Sequence, residues 1–444
     1  MRFLGIGDTN DLAAMYHGLA RRGHDVRVFV RDPAHSDVFA GMLDFTADWQ
    51  KELGWLREAG DDGIALFESA SDGATQDALR RDGFHVVGGS AFGDRLEADR
   101  EFGQSALRAI GLRTAASHPF ADYEAAIDFV KNHPARYVLK LNGADALRTR
   151  NFVGSAPDGL DVIALLAHYG RSQTPASAQR PGGSAEGGDG FVLMDYLQGV
   201  EVGVGAYFNG ENFLSPACID FEHKRFFPGD LGELTGEMGT IVSYRLSQRL
   251  FDTVLAPVTA MLRDGGYCGY INVNLIANED GLWPLEFTSR FGYPGFAICE
   301  ALHVDPWETL FSTMVHKNSR HFRTQSGFAS GVVLTVPPFP YRYGYAELSK
   351  GLPIHLRDSL SPADRSALHF AEVALQGGQL VTSGVTGYLG VATGVGPTPG
   401  IANAQALDVA QGVVVPNLRY RRDIGNRLEG GGEWDFLQRL GWLA

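Results

Sequence analysis

The chain is poor in cysteine, and its few cysteines form no pattern. Its 444 residues include three of them, Cys218, Cys268 and Cys299, each isolated among apolar neighbours. An odd count without regular spacing argues against a disulfide framework and a zinc site, and it fits a reducing cytosol. We interpret all three as small buried hydrophobic residues.

Positive charge and long apolar runs are also scarce. Lysine and arginine total 38 against 52 aspartates and glutamates, which gives a net charge of −14. This balance argues against nucleic acid or an anionic membrane as the main partner, although it allows a local basic pocket. No run approaches the roughly 18 apolar residues of a membrane span, and the first residues lack a signal-peptide pattern. We therefore expect a cytoplasmic protein without a membrane or nucleic-acid partner.

The most informative segment that is present is 267–295. It predicts two adjacent buried strands joined by a turn at 278–281. Glu286 lies in the second strand among apolar neighbours, and a buried acid is costly unless a cation or hydrogen bonds satisfy it. With Asn274 on the first strand and Arg290 just beyond the second, it offers what Mg²⁺ and a polyphosphate require. The alternative is an ion pair between Glu286 and Arg290 that closes the hairpin.

The N-terminal region alternates predicted strands and helices. This order predicts a parallel sheet. Gly5-Ile6-Gly7 is only a fragment of the dinucleotide-binding fingerprint, so we interpret it as a tight strand-to-helix turn at the carboxyl edge of the sheet. The strands are expected at 2–7, 26–30, 64–67 and 85–88, and helices at 11–22, 76–81 and 96–110.

Charged residues recur in the middle of the chain. Lys140 lies on an apolar strand at 137–141 and needs an anionic partner. The turn-rich segment 142–150 carries Arg148 and Arg150, and it is either a flap over phosphates or an exposed hairpin tip. Glu201 follows a connecting segment, where an acid can hold ribose hydroxyls or simply be solvated.

Two further segments have little periodicity. Residues 171–190 are rich in glycine, serine, proline and alanine, so we interpret them as a flexible excursion. Residues 220–240 combine dense charge with four glycines. We expect them to form a long, functional loop.

The order of these motifs resembles the ATP-grasp fold and, more narrowly, phosphoribosylamine–glycine ligase, also called glycinamide ribonucleotide synthetase. The resemblance implies an α/β chain, α+β overall, with three parts. These are a Rossmann-like parallel-sheet domain (1–112), an ATP-grasp domain (113–325, with a lid near 115–208) and a β-rich C-terminal domain (326–444). The motifs that carry it are the strand lysine Lys140, the Glu201 strand, DFEHKR and GDLGELTGEMG at 220–239, NVNLI at 272–276, PLEFTSRFGYPG at 284–295, VTSG at 381–384 and RRDIG at 421–425.

The resemblance also implies roles for individual residues and a chemistry. It implies ATP and Mg²⁺ (or Mn²⁺), a small carboxylate such as an amino acid, an amine, and a monomer or homodimer. The carboxylate would be activated as an acyl phosphate and joined to the amine, as in purine biosynthesis. The implied ATP-binding residues are Lys140, Arg148, Arg150, Asp195 and Glu201; the metal-binding residues are Glu286, Asn274 and Thr288; and the catalytic residues are Arg290, Lys224 and Arg225.

Several positions depart from the family's pattern. Thr288 stands where the family has a metal-facing asparagine, and the family's phosphate-loop lysine has no counterpart. In the family, two turns bind the phosphorylated sugar amine. The corresponding segments of this chain, 7–12 and 67–72, contain additional acids. Acids favour an amine or cation over a phosphate. The sequence therefore predicts a carboxylate–amine ligase with a different acceptor, with a genuine phosphoribosylamine–glycine ligase and a non-catalytic nucleotide-binding relative as the alternatives.

Overall fold

The computed structural model describes residues 1–141, 151–172 and 190–444. The predicted phosphate flap with Arg148 and Arg150 lies outside the described residues, as does most of the predicted excursion at 171–190. Among the residues described, no helix is long and apolar enough to cross a membrane.

The N-terminal region is a five-stranded parallel sheet, as predicted. Its strand order is β3-β2-β1-β4-β5, and apolar side chains of β1 and β4 are buried on both faces. All carboxyl ends therefore meet at one edge. The elements are β1 (Arg2–Gly7), α1 (Ala13–Arg21), β2 (Asp25–Val30), β3 (Asp44–Phe45), α2 (Leu53–Glu58), β4 (Gly63–Phe67), α3 (Gly73–Arg81) and β5 (His85–Val87).

The prediction of one helix at 96–110 was wrong. Two helices, α4 (Ala91–Ala98) and α5 (Arg100–Ala109), meet at Asp99, whose backbone is extended at φ −96° and ψ 94°. The Asp99 carboxylate accepts the N–H of Phe102 at 3.0 Å and so caps α5. Asp99 lies within an apolar periodicity but begins a new helix, α5.

A small α/β unit follows, with its own apolar core. Its four-stranded sheet has the order β6-β9-β7-β8, and Leu139, Leu166 and Leu193 are fully buried in its core. The elements are β6 (Ser117–Phe120), α6 (Tyr123–Asn132), β7 (Tyr137–Leu141), β8 (Phe152–Val153), α7 (Leu160–Ser172) and β9 (Phe191–Asp195).

The central part of the chain supplies most strands of a second, larger sheet. The predicted hairpin at 278–281 is confirmed between two long strands. A proline-containing break at 255–258 separates two short helices, α8 and α9. The elements are β10 (Val200–Phe208), β11 (Cys218–Glu222), β12 (Arg225–Phe227), β13 (Leu231–Leu234), β14 (Gly239–Ser243), α8 (Gln248–Val254), α9 (Thr259–Asp264), β15 (Gly269–Asn278), β16 (Gly281–Thr288), α10 (Gly295–Glu300) and α11 (Trp307–His316).

The last part of the chain is rich in strands. It ends in two short helices that pack near β11 and β14. The elements are β17 (Phe328–Thr335), α12 (Tyr345–Leu348), β18 (His355–Leu356), α13 (Pro362–Ser366), β19 (Leu368–Phe370), β20 (Val373–Gln376), β21 (Gln379–Thr382), β22 (Tyr388–Gly396), α14 (Pro399–Gln411), β23 (Val413–Val414), α15 (Asn426–Glu429) and α16 (Glu433–Arg439).

The large sheet has eight strands in the order β16-β15-β10-β11-β14-β17-β22-β19. Strand β17 pairs with β14 in an antiparallel register, Thr240 opposite Gly331. The sheet thus runs without interruption across the boundary expected at 325. The domain limits themselves stay predictions.

The expectation of a long loop at 220–240 was wrong. Strands β11 and β14 are interior strands of the large sheet, and β12 and β13 form a separate hairpin. The polar residues that masked this pattern alternate with buried apolar ones, such as Ile219 and Phe221. A strand whose polar face lines a site has the same period of two as one whose polar face meets water.

Candidate functional site

Polar side chains form a row across four neighbouring strands of the large sheet. Asn274 of β15 lies opposite Glu286 of β16 and, on its other side, opposite Gly203 of β10. Gly203 in turn lies opposite Asp220 of β11. Directly opposed residues of antiparallel strands share a face. Glu286, Asn274 and Asp220 therefore lie in one row, with Thr288 and Asn272 opposed in the next.

Glycine in the middle of the row lets the side chains on either side approach each other. A Cβ atom on Gly203 would lie 2.2 Å from Oδ1 of Asp220. The amide of Asn272 reaches across this gap and donates to Oδ2 of Asp220 at 2.6 Å. Any larger residue at 203 would separate the two groups, so the glycine belongs to the construction of the site.

Lys224 lies between two carboxylates at the end of this row. Its Nζ is 2.6 Å from Oε1 of Glu201 and 2.9 Å from Oε2 of Glu222. Burial lowers the pKa of the lysine, but the carboxylates outweigh burial and hold that pKa well above its ordinary value. Lys224 therefore carries its charge throughout the physiological pH range.

Lys140 approaches the row from the small α/β unit. Its Nζ is 3.8 Å from Oε2 of Glu286, whose side chain is 49% exposed. Burial lowers the pKa of Lys140, while the charge of Glu286 opposes this shift. Two lysines predicted from sequence thus flank one open carboxylate, which is a suitable arrangement for a bound polyphosphate.

The residues of the row fit a magnesium ion that shares its coordination with phosphates. Glu286 and Asn274 lie on paired positions of adjacent strands, and the Asn274 amide nitrogen faces both Glu222 oxygens at 3.4 Å. That contact turns the amide oxygen of Asn274 away from Glu222. In the described part of the chain, no group of three or more acidic, histidine or cysteine side chains could hold a metal ion by itself. Magnesium bound partly by a nucleotide needs only one or two protein ligands.

Three other predicted site residues have partners elsewhere. Arg290 pairs with Glu97 of α4, Nε to Oε1 at 3.0 Å, and Asp195 lies 3.2 Å from Nε2 of His118. Arg225 donates to the carbonyl of Gly232 within the β12–β13 hairpin at 2.7 Å. Their roles in catalysis and ATP binding stay predictions, as does metal binding by half-buried Thr288.

The RRDIG segment fixes the hairpin beside the site. Arg421 is 1% exposed and donates to Asp423, to Asp230 and to the carbonyl of Arg225. His223, between β11 and β12, accepts the N–H of Gly425 at 3.2 Å. Burial lowers the pKa of His223 to about 4, so it is a neutral structural contact to the C-terminal part.

Sequence reasoning missed two acids of the row, Asp220 and Glu222. Both precede Lys224 at intervals of two residues, which places three charged side chains on one face of an extended strand. That spacing was the available signal. It was hidden by the interpretation of the segment as a loop.

Asp220 gives the site a testable pH dependence. Burial, followed by the charge of Glu222, raises its pKa from 3.8 to about 7. Between those values the native state holds a proton that the unfolded chain has lost, so stability falls as the pH rises, by at most about 1.4 kcal/mol per pH unit. Asp220→Asn should remove this slope in urea unfolding at pH 5, 6, 7 and 8. The exposed control Asp358→Asn should keep it, and parallel profiles for both variants would contradict the assignment.

Comparison with known proteins agrees with this geometry. The family described as phosphoribosylglycinamide synthetase, ATP-grasp (A) domain, matches residues 98–296. The chain has the ATP-grasp fold and resembles phosphoribosylamine–glycine ligase. The ligase of Pseudomonas aeruginosa is 28% identical over 363 residues, covering 79% of both chains. That of Listeria monocytogenes is 25% identical over 361 residues, covering 80% of this chain and 81% of the relative.

Solved structures show the same fold. Phosphoribosylamine–glycine ligase from Thermotoga maritima superimposes with a TM-score of 0.68 at 22% identity, covering 96% of this chain and 100% of that one. The biotin carboxylase domain of Hydrogenobacter thermophilus 2-oxoglutarate carboxylase, solved with MgADP, gives a TM-score of 0.61 at 12% identity, covering 94% and 91%. The ATP-grasp fold predicted from sequence is confirmed.

Proposed function

We propose that this protein is an ADP-forming carboxylate–amine ligase that uses ATP and Mg²⁺. The observation that carries the proposal is the polar row on β16, β15, β10 and β11 with Lys140 and Lys224 at its ends. Two relatives that are 28% identical to this chain over 363 residues are named phosphoribosylamine–glycine ligases.

The reaction has two steps whose atoms balance. A substrate carboxylate oxygen attacks the γ-phosphorus of ATP, the bond from that phosphorus to the β,γ-bridging oxygen breaks, and ADP leaves. The amine nitrogen then attacks the carbonyl carbon of the acyl phosphate, the bond to the phosphate oxygen breaks, and the nitrogen loses a proton. The products are an amide, ADP and phosphate.

The chain's own residues supply charge and position for these steps. Lys140, within 4 Å of Glu286, would meet the phosphates. Lys224 stays charged between Glu201 and Glu222, so it can offset negative charge that develops at the transferred phosphoryl group. Glu286 and Asn274 would hold Mg²⁺, which supplies charge neutralisation to the nucleotide when bound.

The two candidate functions differ in the amine that accepts the acyl group. Named relatives support phosphoribosylamine, since the P. aeruginosa and Yersinia pestis proteins, each 28% identical to this chain, are called phosphoribosylamine–glycine ligases. The acids at 7–12 and 67–72 support another amine. We propose another amine as the acceptor and keep phosphoribosylamine as the second candidate.

A trapping assay tests the ligase without knowledge of the acceptor. Hydroxylamine displaces phosphate from an acyl phosphate and forms a hydroxamate, so ATP, Mg²⁺, glycine and hydroxylamine should yield hydroxamate and ADP in equal amounts. Other amino acids would be tested in parallel, and so would phosphoribosylamine in place of hydroxylamine. ATP binding without hydroxamate or ADP from any acid would support a non-catalytic relative instead.

A further inference from the structure

The turn between β1 and α1 holds a carboxyl group of the protein itself where a ligand anion would be expected. Backbone N–H groups at the start of a helix, at the carboxyl edge of a parallel sheet, commonly bind phosphates. Here Glu68, the first residue after β4, takes that position. Its Oε2 accepts the N–H of Asp11 at 3.0 Å, and the N–H of Leu12 also donates to its carboxylate.

This contact is built into the fold. Glu68 is only 4% exposed. A Cβ atom on Gly7, at the end of β1, would lie 2.0 Å from Oε2 of Glu68, so position 7 has to be glycine for the carboxylate to fit. Burial first, and then the charge of Asp11, raise the pKa of Glu68 to about 8, while the bonds from the two N–H groups oppose the shift.

The surroundings of the turn add further negative charge. Asp11 is exposed at the start of α1. The guanidinium of Arg31 lies between Asp8 and Asp72, with Nη2 at 2.8 and 2.9 Å from the two Asp72 oxygens. The positive charge that Arg31 brings to the turn is therefore already balanced by two carboxylates.

A pair of tyrosine rings lies within range of the charge of Asp11 in this turn. Tyr293, which follows the Glu286 strand, and Tyr388 pack with ring centroids 4.9 Å apart. Burial raises the pKa of both, and the charges of Asp11 and Glu237 add to the shift, so these acids lie near the ring pair. Among the described residues neither hydroxyl has a hydrogen-bond partner, although both are buried. Two such hydroxyls side by side are available to hydrogen-bond a bound molecule or a water.

We infer that the acceptor bound between this turn and the tyrosine pair is a phosphate-free, positively charged amine, and that Glu68 is the specificity-determining residue that excludes phosphate. The inference rests on the proposed ligase function. A phosphate at the turn could not accept the N–H groups of the turn, because Glu68 already does. It would also face the carboxylates of Asp8, Asp11 and Asp72. Such like-charge contacts are an established means of rejecting a wrong partner. A cationic group elsewhere on the acceptor would be attracted by the same carboxylates, while the reacting nitrogen is neutral when it attacks.

Turnover with paired acceptors tests the inference. We would compare phosphoribosylamine, its unphosphorylated counterpart ribosylamine, and the cationic amines putrescine and agmatine, with ADP release as readout. At least one phosphate-free amine should exceed phosphoribosylamine in kcat/KM by about 10²-fold or more. Glu68→Ser, which frees the N–H groups, should raise kcat/KM for phosphoribosylamine relative to ribosylamine. The surface control Glu58→Ser should leave that ratio as in the wild type.

A binding measurement keeps the inference independent of catalysis. Calorimetry with ribose 5-phosphate and with inorganic phosphate should give no heat of binding for the wild-type protein and measurable binding for Glu68→Ser. Glu68→Gln, whose amide oxygen can still accept the N–H of Asp11, covers the case in which the serine variant does not fold. Glu68→Gln should bind ribose 5-phosphate more weakly than Glu68→Ser does.

Tight binding of ribose 5-phosphate by the wild type, or phosphoribosylamine as the best acceptor, would overturn the inference. Absence of hydroxamate from any acid would instead count against the ligase, and the calorimetry would still decide the phosphate question.

Discussion

Glu286→Gln should lower ATP-dependent ADP formation by about 10²–10³-fold, since one preorganised electrostatic group at such a site contributes on that scale. Glu286 is the open carboxylate of the polar row, paired across the strands with Asn274 and 3.8 Å from Lys140. Glutamine keeps its size but removes the charge that would hold Mg²⁺. The loss should appear in kcat under saturating ATP, measured as ADP release in the hydroxylamine assay.

The same hairpin provides a matched control. Glu279 is exposed in the turn between β15 and β16, so Glu279→Gln should leave ADP formation unchanged. Raising Mg²⁺ should recover part of the activity of Glu286→Gln if the defect is weakened metal binding, and Mn²⁺ should do so at lower concentration. Full activity in Glu286→Gln would show that the row is not the catalytic centre.

The fold was predictable where one physical pattern dominated. Strand and helix alternation in the first 90 residues led to the parallel sheet, and the turn at Asn278–Gly281 led to the β15–β16 pair. Helix interruptions were not predictable from periodicity, because Asp99 and Pro257 each lie within an apolar pattern that continues on both sides. Their effect depends on the packing of two short helices rather than one long one.

The site was predictable in part for the same reason. Glu286, Asn274 and Lys140 stood out because each is a polar residue in an otherwise apolar strand. Asp220 and Glu222 did not, because in a segment dense with charge a polar strand face is indistinguishable from a loop. Nor could the sequence show that Glu68 binds the N–H of Asp11, since that contact joins residues 57 positions apart in the chain.

Lys224→Met should destabilise the protein by about 2 kcal/mol, because removal of the shared cation from a half-buried ion cluster leaves two carboxylates without compensation. Glu201 and Glu222 both lie within 3 Å of the Lys224 ammonium. Urea unfolding at pH 8 measures the change. Lys317→Met is the control: its ion pair with Glu211 is exposed, so its loss should cost under about 1 kcal/mol.

The salt dependence and a double variant separate charge from packing. Without Lys224, the negative charges of Glu201 and Glu222 repel each other, and dissolved salt screens this repulsion. The destabilisation relative to the wild type should therefore be smaller in about 1 M NaCl than at low salt. Lys224→Met combined with Glu222→Gln should be more stable at pH 8 than Lys224→Met alone, because one uncompensated charge is gone. Equal losses at both salt concentrations, with no rescue by the second change, would mean that Lys224 stabilises by packing of its alkyl chain. In that case the Lys224 ammonium could bind a substrate phosphate without lowering the stability of the folded protein.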